Sequence, residues 1–554
     1  MPKYKVAGVA SFLSISGGVL LPHVVGKLYP LTNVWFSSGI VTIVVLGLMS
    51  QSLNKHFRLY LAFVVLLSVA YRLRIFLFPA SLIGMDPSGY AVQISNVMRT
   101  GTISAITFGF YSHAPLHILE GVVTGFVVNR PAPVASAIYP IIGGLSFPLL
   151  AVCFVRKLRP DSPRAAIIAG GGAGLLPYSL HFSYWPIAQL TGLVFSLLTI
   201  YLVFSYAISG GHRWLLLGIL TMVAAVFTHK LVAISTTLSV SGALILGLSH
   251  PKTRHSPTIR RLFVGTIGVL GILTVLQLFY LTGFASTVLF RLFSLSAQSS
   301  TPSIPTAAVD PYTIPARLFR ISSVVLIAVV SGLVWIRWFW RSLVGPTRKR
   351  DIFFLGFVFP LAGLVVLLYP RGVNPTRTIF YSAVLLLVLI VVGLYWLHVE
   401  SPTPSHWAYR YGAVGVVFLL IVSCGVSPIA GPDFSPLNRN YLTAQEVKAK
   451  EWGYENVPST IATDQYYASQ IPPSRIATMG STVVSTSKFK DRTDLYLNNS
   501  FPASSPFTLA YRRCVTNLRS SYGVWRPTYN ASGELNARYS RIYDSGCVDY
   551  FDTI

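Results

Sequence analysis

The chain has 554 residues, 53% of them hydrophobic and only 11% charged, with a mean hydropathy of +0.60. A water-soluble enzyme of this size needs a more polar coat, so the composition places the chain among membrane proteins. Its formal charge of +26, from 43 basic and 17 acidic residues, sits in short loops between apolar runs rather than on one soluble face, which excludes nucleic acid as the partner that explains it.

Apolar runs long enough to cross a hydrocarbon layer of roughly 30 Å recur from Val6 to Val426. They predict a polytopic α-helical membrane protein of about 13 transmembrane helices, centred in 6–27, 31–50, 58–78, 133–154, 165–186, 187–208, 213–229, 231–249, 262–284, 320–339, 352–369, 378–397 and 411–428. The first run has no convincing cleavage site and reads as a span. Lys3/Lys5, Lys55/Arg58, Arg156/Lys157/Arg159/Arg164, Lys252/Arg254/Arg260/Arg261 and Arg341/Arg348/Lys349/Arg350 then fall on one face. By the positive-inside rule that face is cytoplasmic, with a cytoplasmic N-terminus and a multi-pass chain in the plasma membrane.

Residues 1–428 are expected to form the membrane domain, interrupted by exterior segments at 79–131 and 285–319. In the first segment, 86–100 and 115–127 have helical character, with Pro87 and Pro115 suited to first-turn positions. Both are expected to lie parallel to the membrane. A full span over 115–128 is the alternative, and it would move the Arg156 cluster to the exterior against the charge rule. After Pro428 the composition turns polar, and residues 429–554 are expected to form a soluble extracytoplasmic α/β domain. Thr443-Ala-Gln-Glu446 is a capping box that opens a helix to about Tyr454, and Thr460 to Thr463 reads as a strand ending in a turn at Asp464. Cys514 and Cys547 are expected to pair if this domain lies outside the cell, whereas Cys153 and Cys424 fall in apolar spans as small hydrophobes. Asn498 and Asn530 each open an Asn-x-Ser triplet.

Carboxylates are scarce before residue 429: Asp86, Glu120, Asp161, Asp310, Asp351 and Glu400. The predicted topology puts Asp161, Asp351 and Glu400 inside, leaving Asp86, Glu120 and Asp310 for exterior chemistry. Asp86 stands in Gly84-Met-Asp-Pro-Ser-Gly-Tyr90 at a membrane boundary. There it is able to accept a proton from a hydroxyl, to hold a divalent metal, or simply to cap a helix. His113, just before the helix that carries Glu120, suits either an anion site or an interfacial loop. Arg371 and Arg377 bracket a short exterior loop where guanidinium groups clamp a phosphate or pair with lipid headgroups. His229 and Lys230 at a span junction, and Arg72/Arg74, are candidates of the same sort; His181 and Trp185 also suit an interfacial belt.

Together, the Asp in the first large exterior loop, His113-Ala-Pro115-Leu116, Arg377 before a late span, and Tyr441-Leu-Thr-Ala-Gln-Glu446 with Ala462-Thr-Asp464 resemble the GT-C membrane glycosyltransferases, archaeal members especially. The resemblance implies a sugar donor linked to a polyprenyl phosphate, transferred to a glycan, lipid or protein acceptor on the exterior face. It makes Asp86 the catalytic or acceptor-positioning acid, places Arg371 and Arg377 on the donor phosphate, and leaves Tyr90, His113, Glu120, His181, His229, Lys230 and Asp310 as substrate-binding candidates. Two departures stand out. Residue 87 is Pro where many relatives carry a second acid close by, and the Trp-Trp-Asp sequence of oligosaccharyltransferases is absent. The competing readings are a lipid-linked saccharide transporter and a noncatalytic assembly subunit; few ionisable groups at span centres weigh against a transporter.

Overall fold

The computed structural model describes residues 2–25, 31–74, 80–82, 86–106, 114–176, 187–250, 253, 257, 261, 265–266, 268–281, 305–310, 314–345, 348–368, 375–399, 441–476, 488–502, 506–520 and 523–552. Helices dominate up to residue 399. They are α1 (Lys3–Val25), α2 (Leu31–Leu48), α3 (Leu53–Leu73), α4 (Asp86–Thr100), α5 (Pro115–Val128), α6 (Ala132–Ala135), α7 (Ile138–Leu158), α8 (Pro163–Leu175), α9 (Ala188–Ser209), α10 (His212–Thr228), α11 (Lys230–Ser249), α12 (Gly268–Val275), α13 (Ile314–Val344), α14 (Lys349–Leu368) and α15 (Pro375–Val399).

Six helices among the described residues are long and apolar enough to cross a membrane: 3–21, 53–73, 132–158, 188–209, 230–249 and 325–344. Shorter apolar helices cover 34–48, 115–128, 212–228 and 381–395. The chain is therefore a largely helical membrane protein, with fewer full-length spans described than the thirteen runs read from hydropathy. Three runs account for part of the difference. The 165–186 run is described only to Leu176, with α8 ending at Leu175; the 262–284 run passes from α12 into a π-helical turn over Leu276–Leu281, and 411–428 lies outside the described residues.

At the centre of the bundle is α8, capped by the Ser162 hydroxyl accepting from Ala165 N–H, with Pro163 at its first turn. Its run Ala169-Gly-Gly-Gly-Ala-Gly174 lets four neighbours approach at once. Gly170 faces Val152 of α7, Gly171 faces Val44 of α2, Gly172 faces Leu387 of α15 and Gly174 faces Ser68 of α3. Small residues are what allow helices to pack closely in lipid, where no hydrophobic force draws them together. The α8 carboxyl end meets buried Arg72 of α3, whose guanidinium donates to Gly174 C=O at 3.2 Å and to the Ser68 hydroxyl at 2.6 Å. A cation at a helix C-terminus satisfies an orphan carbonyl and the local dipole together.

A tight backbone-to-backbone crossing joins α11 and α14. A Cβ added at Gly356 would sit 2.5 Å from the Ala243 Cα and 2.9 Å from the Gly242 carbonyl oxygen. Both obstacles are backbone, so the helices themselves would have to part. Gly356→Ala is expected to destabilise the protein by about 1–3 kcal/mol, read as a lowered Tm in detergent. Gly271→Ala, inside α12 with nothing within 4 Å, serves as the control and is expected to hold or slightly raise the Tm.

The C-terminal region is α/β. Its helices are α16 (Ala444–Asn456), α17 (Gln465–Ser469), α18 (Pro473–Ile476), α19 (Thr493–Asn498) and α20 (Ala531–Arg538). A five-stranded sheet has the order β3 (Phe489–Asp491), β2 (Ile461–Thr463), β4 (Thr508–Arg512), β8 (Val548–Asp552), β7 (Ser540–Asp544), with β2 parallel to β3 and β4 and the remaining pairs antiparallel. Strand alternation divides the core, Ala462, Leu509 and Phe551 facing one side and Ile461, Ala510 and Tyr550 the other. The capping box forms as the sequence spells it: Thr443 Oγ1 accepts from Glu446 N–H and the Glu446 carboxylate accepts from Thr443 N–H. Cys514 and Cys547 are bonded, their Cα atoms 5.0 Å apart, closing a loop of 33 residues.

Among the described residues, contacts at two places tie this region to the rest of the chain. Leu442 N–H donates to Ser81 Oγ at 2.8 Å just before α4, and α18 packs on α4. The segment 305–310 runs as a strap along a second small sheet, β1 (Ala308–Val309), β6 (Gly523–Pro527), β5 (Leu518–Ser520). There Ala308 pairs with Pro527 and Val309 with Arg526. Thr306 donates through N–H and Oγ1 to Asn498 Oδ1 at 3.0 and 3.3 Å.

Candidate functional site

The first described carboxylate, Asp86, is half-buried in the first turn of α4. One turn further on, Tyr90 is 4% exposed and meets the His117 ring of α5 edge-on, with centroids 4.7 Å apart. His117 is fully buried and stacks on Tyr139 of α7 at 4.1 Å. The Tyr139 hydroxyl donates to the His117 carbonyl at 2.5 Å. On its far side, His117 Nδ1 lies 3.3 Å from the hydroxyl of Thr191 on α9, and Thr191 also hydrogen-bonds the Glu120 side chain. His117 and Glu120 are three residues apart on α5 and so share a face. Helices α4, α5, α7 and α9 thus close around a buried polar cluster that runs from one turn beyond Asp86 to Glu120.

The crossing of α4 and α5 is tight because Gly121 admits Ile94, whose Cδ1 lies 2.4 Å from where a Cβ would stand. This brings a helix of unusual composition into the interior. Ser88, Gln93 and Asn96 of α4 are buried, and Ser88 Oγ, both amide atoms of Gln93 and Asn96 Nδ2 meet no protein partner among the described residues. Glu120 Oε2 is likewise buried without one. Buried polar groups are almost always satisfied, so a cluster of unspent donors and acceptors marks a place where a polar ligand or water completes the bonding.

Fourteen residues of α5 are too few to cross a bilayer, which needs about 20, and Glu120 lies outside the six spans. Burial pushes its carboxyl up from 4.5 to about 8, against a smaller lowering by the Thr191 hydroxyl. The folded protein therefore keeps a proton on Glu120 that the unfolded chain releases near 4.5, and folding stability falls as pH rises from there towards 8. Glu120→Gln, which fixes a neutral side chain, is expected to flatten the decline of Tm between pH 5 and 8 in detergent. An unchanged slope would show that Glu120 is not the titrating group.

The other predicted site residues are dispersed. His229 caps α11, its Nδ1 accepting from Leu231 N–H at 3.2 Å, and Lys230 is the first residue of that helix. Asp310 is exposed at the end of the strap, beside the C-terminal sheets rather than among α4, α5, α7 and α9. Arg377 lies in the first turn of α15, its side chain outside the described residues; His113, His181 and Arg371 lie outside them altogether. Sequence reading missed His117, Tyr139 and Thr191. The available signal was the three-residue spacing of His117 and Glu120, but a histidine within an apolar helix looks like core. Among the described residues no group of three His, Cys, Asp or Glu gathers to hold a metal ion.

No family model and no curated protein matches the sequence. Solved structures do match. The apo structure of ArnT from Cupriavidus metallidurans aligns with 90% of this chain and 98% of its own at 12% identity, with a TM-score of 0.50. The archaeal oligosaccharyltransferase AglB from Archaeoglobus fulgidus, in complex with an inhibitory peptide and a dolichol-phosphate, aligns with 77% of this chain at 13% identity and a TM-score of 0.53. Both are GT-C glycosyltransferases. This chain has the GT-C fold. It spans 64% of the length of AglB, and at these identities the likeness is one of architecture: a helical bundle followed by a C-terminal α/β region. A fold hosts many activities, so what the GT-C fold does here has to be argued from the cluster next to Asp86.

Proposed function

We propose that the chain is an integral-membrane glycosyltransferase that moves a sugar, a hexose such as mannose, from a polyprenyl-phosphate carrier to a glycan, lipid or protein acceptor on the extracytoplasmic face. The observation that carries this reading is the half-buried Asp86 at the head of α4, an interior helix whose Ser88, Gln93 and Asn96 have unspent hydrogen-bonding capacity. A row of amide and hydroxyl groups is what a sugar's hydroxyls pair with, and an ionisable carboxylate at its end is what activates an acceptor. The GT-C fold supports the lipid-linked donor, since dolichol-phosphate is bound in the AglB structure.

In the proposed reaction Asp86 takes the proton of the acceptor hydroxyl as its oxygen bonds to the anomeric carbon. The bond from that carbon to the donor phosphate breaks, and polyprenyl phosphate leaves. Arg371 and Arg377 hold the departing phosphate, whose negative charge grows in the transition state. Glu120, neutral at the operating pH, and His117 position hydroxyls through the Thr191 bridge. Residues 1–428 form the catalytic domain in this reading, and residues 429–554 form the extracytoplasmic domain that borders the acceptor side of α4.

The test uses the full-length protein in lipid, supplied with polyprenyl-phosphate hexoses and membrane extract as acceptor. Release of polyprenyl phosphate with label transferred to an acceptor supports the proposal. Donor movement across the bilayer with no broken glycosidic phosphate bond would support a transporter in its place.

A further inference from the structure

A second polar assembly lies away from Asp86, where α7 ends and α14 begins. Arg159 pairs with Asp351 at 3.0 Å and lies over the Trp338 ring at 5.5 Å, so the one buried carboxylate there is already engaged. Lys157 rests over Trp214 at 5.8 Å and Arg156 over Phe57 at 5.7 Å. Arg350 is different. Its Nη1 donates to the Lys157 carbonyl at 3.4 Å, while Nε and Nη2 are buried with no acceptor among the described residues. Those two nitrogens form the edge of a guanidinium that presents parallel N–H groups, the edge that grips a carboxylate or phosphate through two oxygens. Arg348 and Arg159 lie close by and are opposed by Asp351, already paired with Arg159, and by exposed Asp161, so with Arg350 itself the cluster holds three guanidinium groups against two carboxylates.

What would bring an oxyanion there is written on the neighbouring helix. Val329, Leu333, Ile336, Trp340 and Val344 of α13 are 54%, 65%, 62%, 67% and 72% exposed and recur every three or four residues, forming one continuous apolar face. In a membrane protein such a face lies against acyl chains. It stops at Val344, six residues before Arg350 in the chain, and exposed Arg337 and Arg341 flank its last two turns, as basic residues do near a headgroup layer. We infer that Arg350, backed by Arg348, receives the phosphate of an anionic phospholipid whose chains lie along α13. Nε and Nη2 are closed to solvent in this structure, so binding a phosphate there requires the guanidinium or a covering side chain to move. This site is separate from sugar transfer and stands whether or not that reading holds.

The experiment uses the full-length protein, delipidated in detergent and titrated with dioleoyl phosphatidylglycerol, dioleoyl phosphatidylcholine or inorganic phosphate, with Tm and bound-lipid count by native mass spectrometry as readouts. Phosphatidylglycerol is expected to raise Tm where phosphatidylcholine does not. Arg350→Lys keeps the charge but loses the fork, and is expected to shift the phosphatidylglycerol midpoint about tenfold. Arg164→Lys, an exposed neighbour, should leave it in place. Equal responses to the two lipids, or an unshifted midpoint in Arg350→Lys, would overturn the site. Inorganic phosphate matching phosphatidylglycerol would overturn the lipid as its occupant.

Discussion

Asp86→Asn is expected to lower the turnover of sugar transfer by about 10²–10⁴-fold, the range a positioned general base contributes. Asparagine keeps the size of the side chain and its ability to accept a hydrogen bond at a helix start, so α4 should form and the Tm should hold within about 0.5 kcal/mol of stability. Only the capacity to take a proton is lost. If Asp86 acts in the transition state, kcat and kcat/KM fall together while donor binding persists. A rise in KM at constant kcat would instead make Asp86 a binding residue. Full activity in the variant would remove the catalytic proposal, because Asp86 is the one carboxylate of α4.

Arg512→Met is expected to cost about 3–5 kcal/mol, the penalty for leaving a buried charge without its counter-ion. Arg512 is 2% exposed, and its Nε donates to Glu446 at 2.8 Å and its Nη1 to Asp464 at 3.2 Å, carboxylates that are 0% and 5% exposed. Each acid is also committed locally, Glu446 to the capping box of α16 and Asp464 to the N–H groups of Tyr466 and Tyr467 that open α17. The guanidinium therefore joins two helix starts to β4. Buried Lys450 extends the network, donating to the carbonyls of Tyr467, Ala468 and Gln470 at the end of α17. Removing Arg512 leaves two carboxylates in an apolar interior without their guanidinium. Chemical denaturation or a thermal melt of the full-length protein reads the loss. Adding Glu446→Gln and Asp464→Asn should recover part of it, since the variant then buries no unpaired acid. A shift below about 1 kcal/mol would mean that the triad is solvated in practice.

Both predictions rest on residues that the sequence offered unequally. Glu446 and Asp464 were legible as a capping box and a turn because each acts within three residues of itself, a distance that spacing encodes. Arg512 was not, since its partners lie 66 and 48 residues away. The same holds at the candidate site. Asp86 and Glu120 were visible through their rarity in an apolar chain, whereas the Thr191 hydroxyl that bridges Glu120 to His117 is 74 residues from the histidine and looks like any threonine in an apolar helix.

By itself, then, the sequence determined the helical membrane class, the polar C-terminal region, the starts of α4, α5 and α16, and a resemblance to GT-C enzymes that the fold matches. These follow from hydropathy, proline and capping residues, which act on the chain locally. Only the tertiary structure decided that α8 sits at the hub, that the strap runs along the C-terminal sheet, and that His117 joins Tyr90, Tyr139, Thr191 and Glu120. Those outcomes depend on which faces meet. Packing of side chains far apart in sequence settles that, and no local pattern of hydrophobicity or charge specifies it.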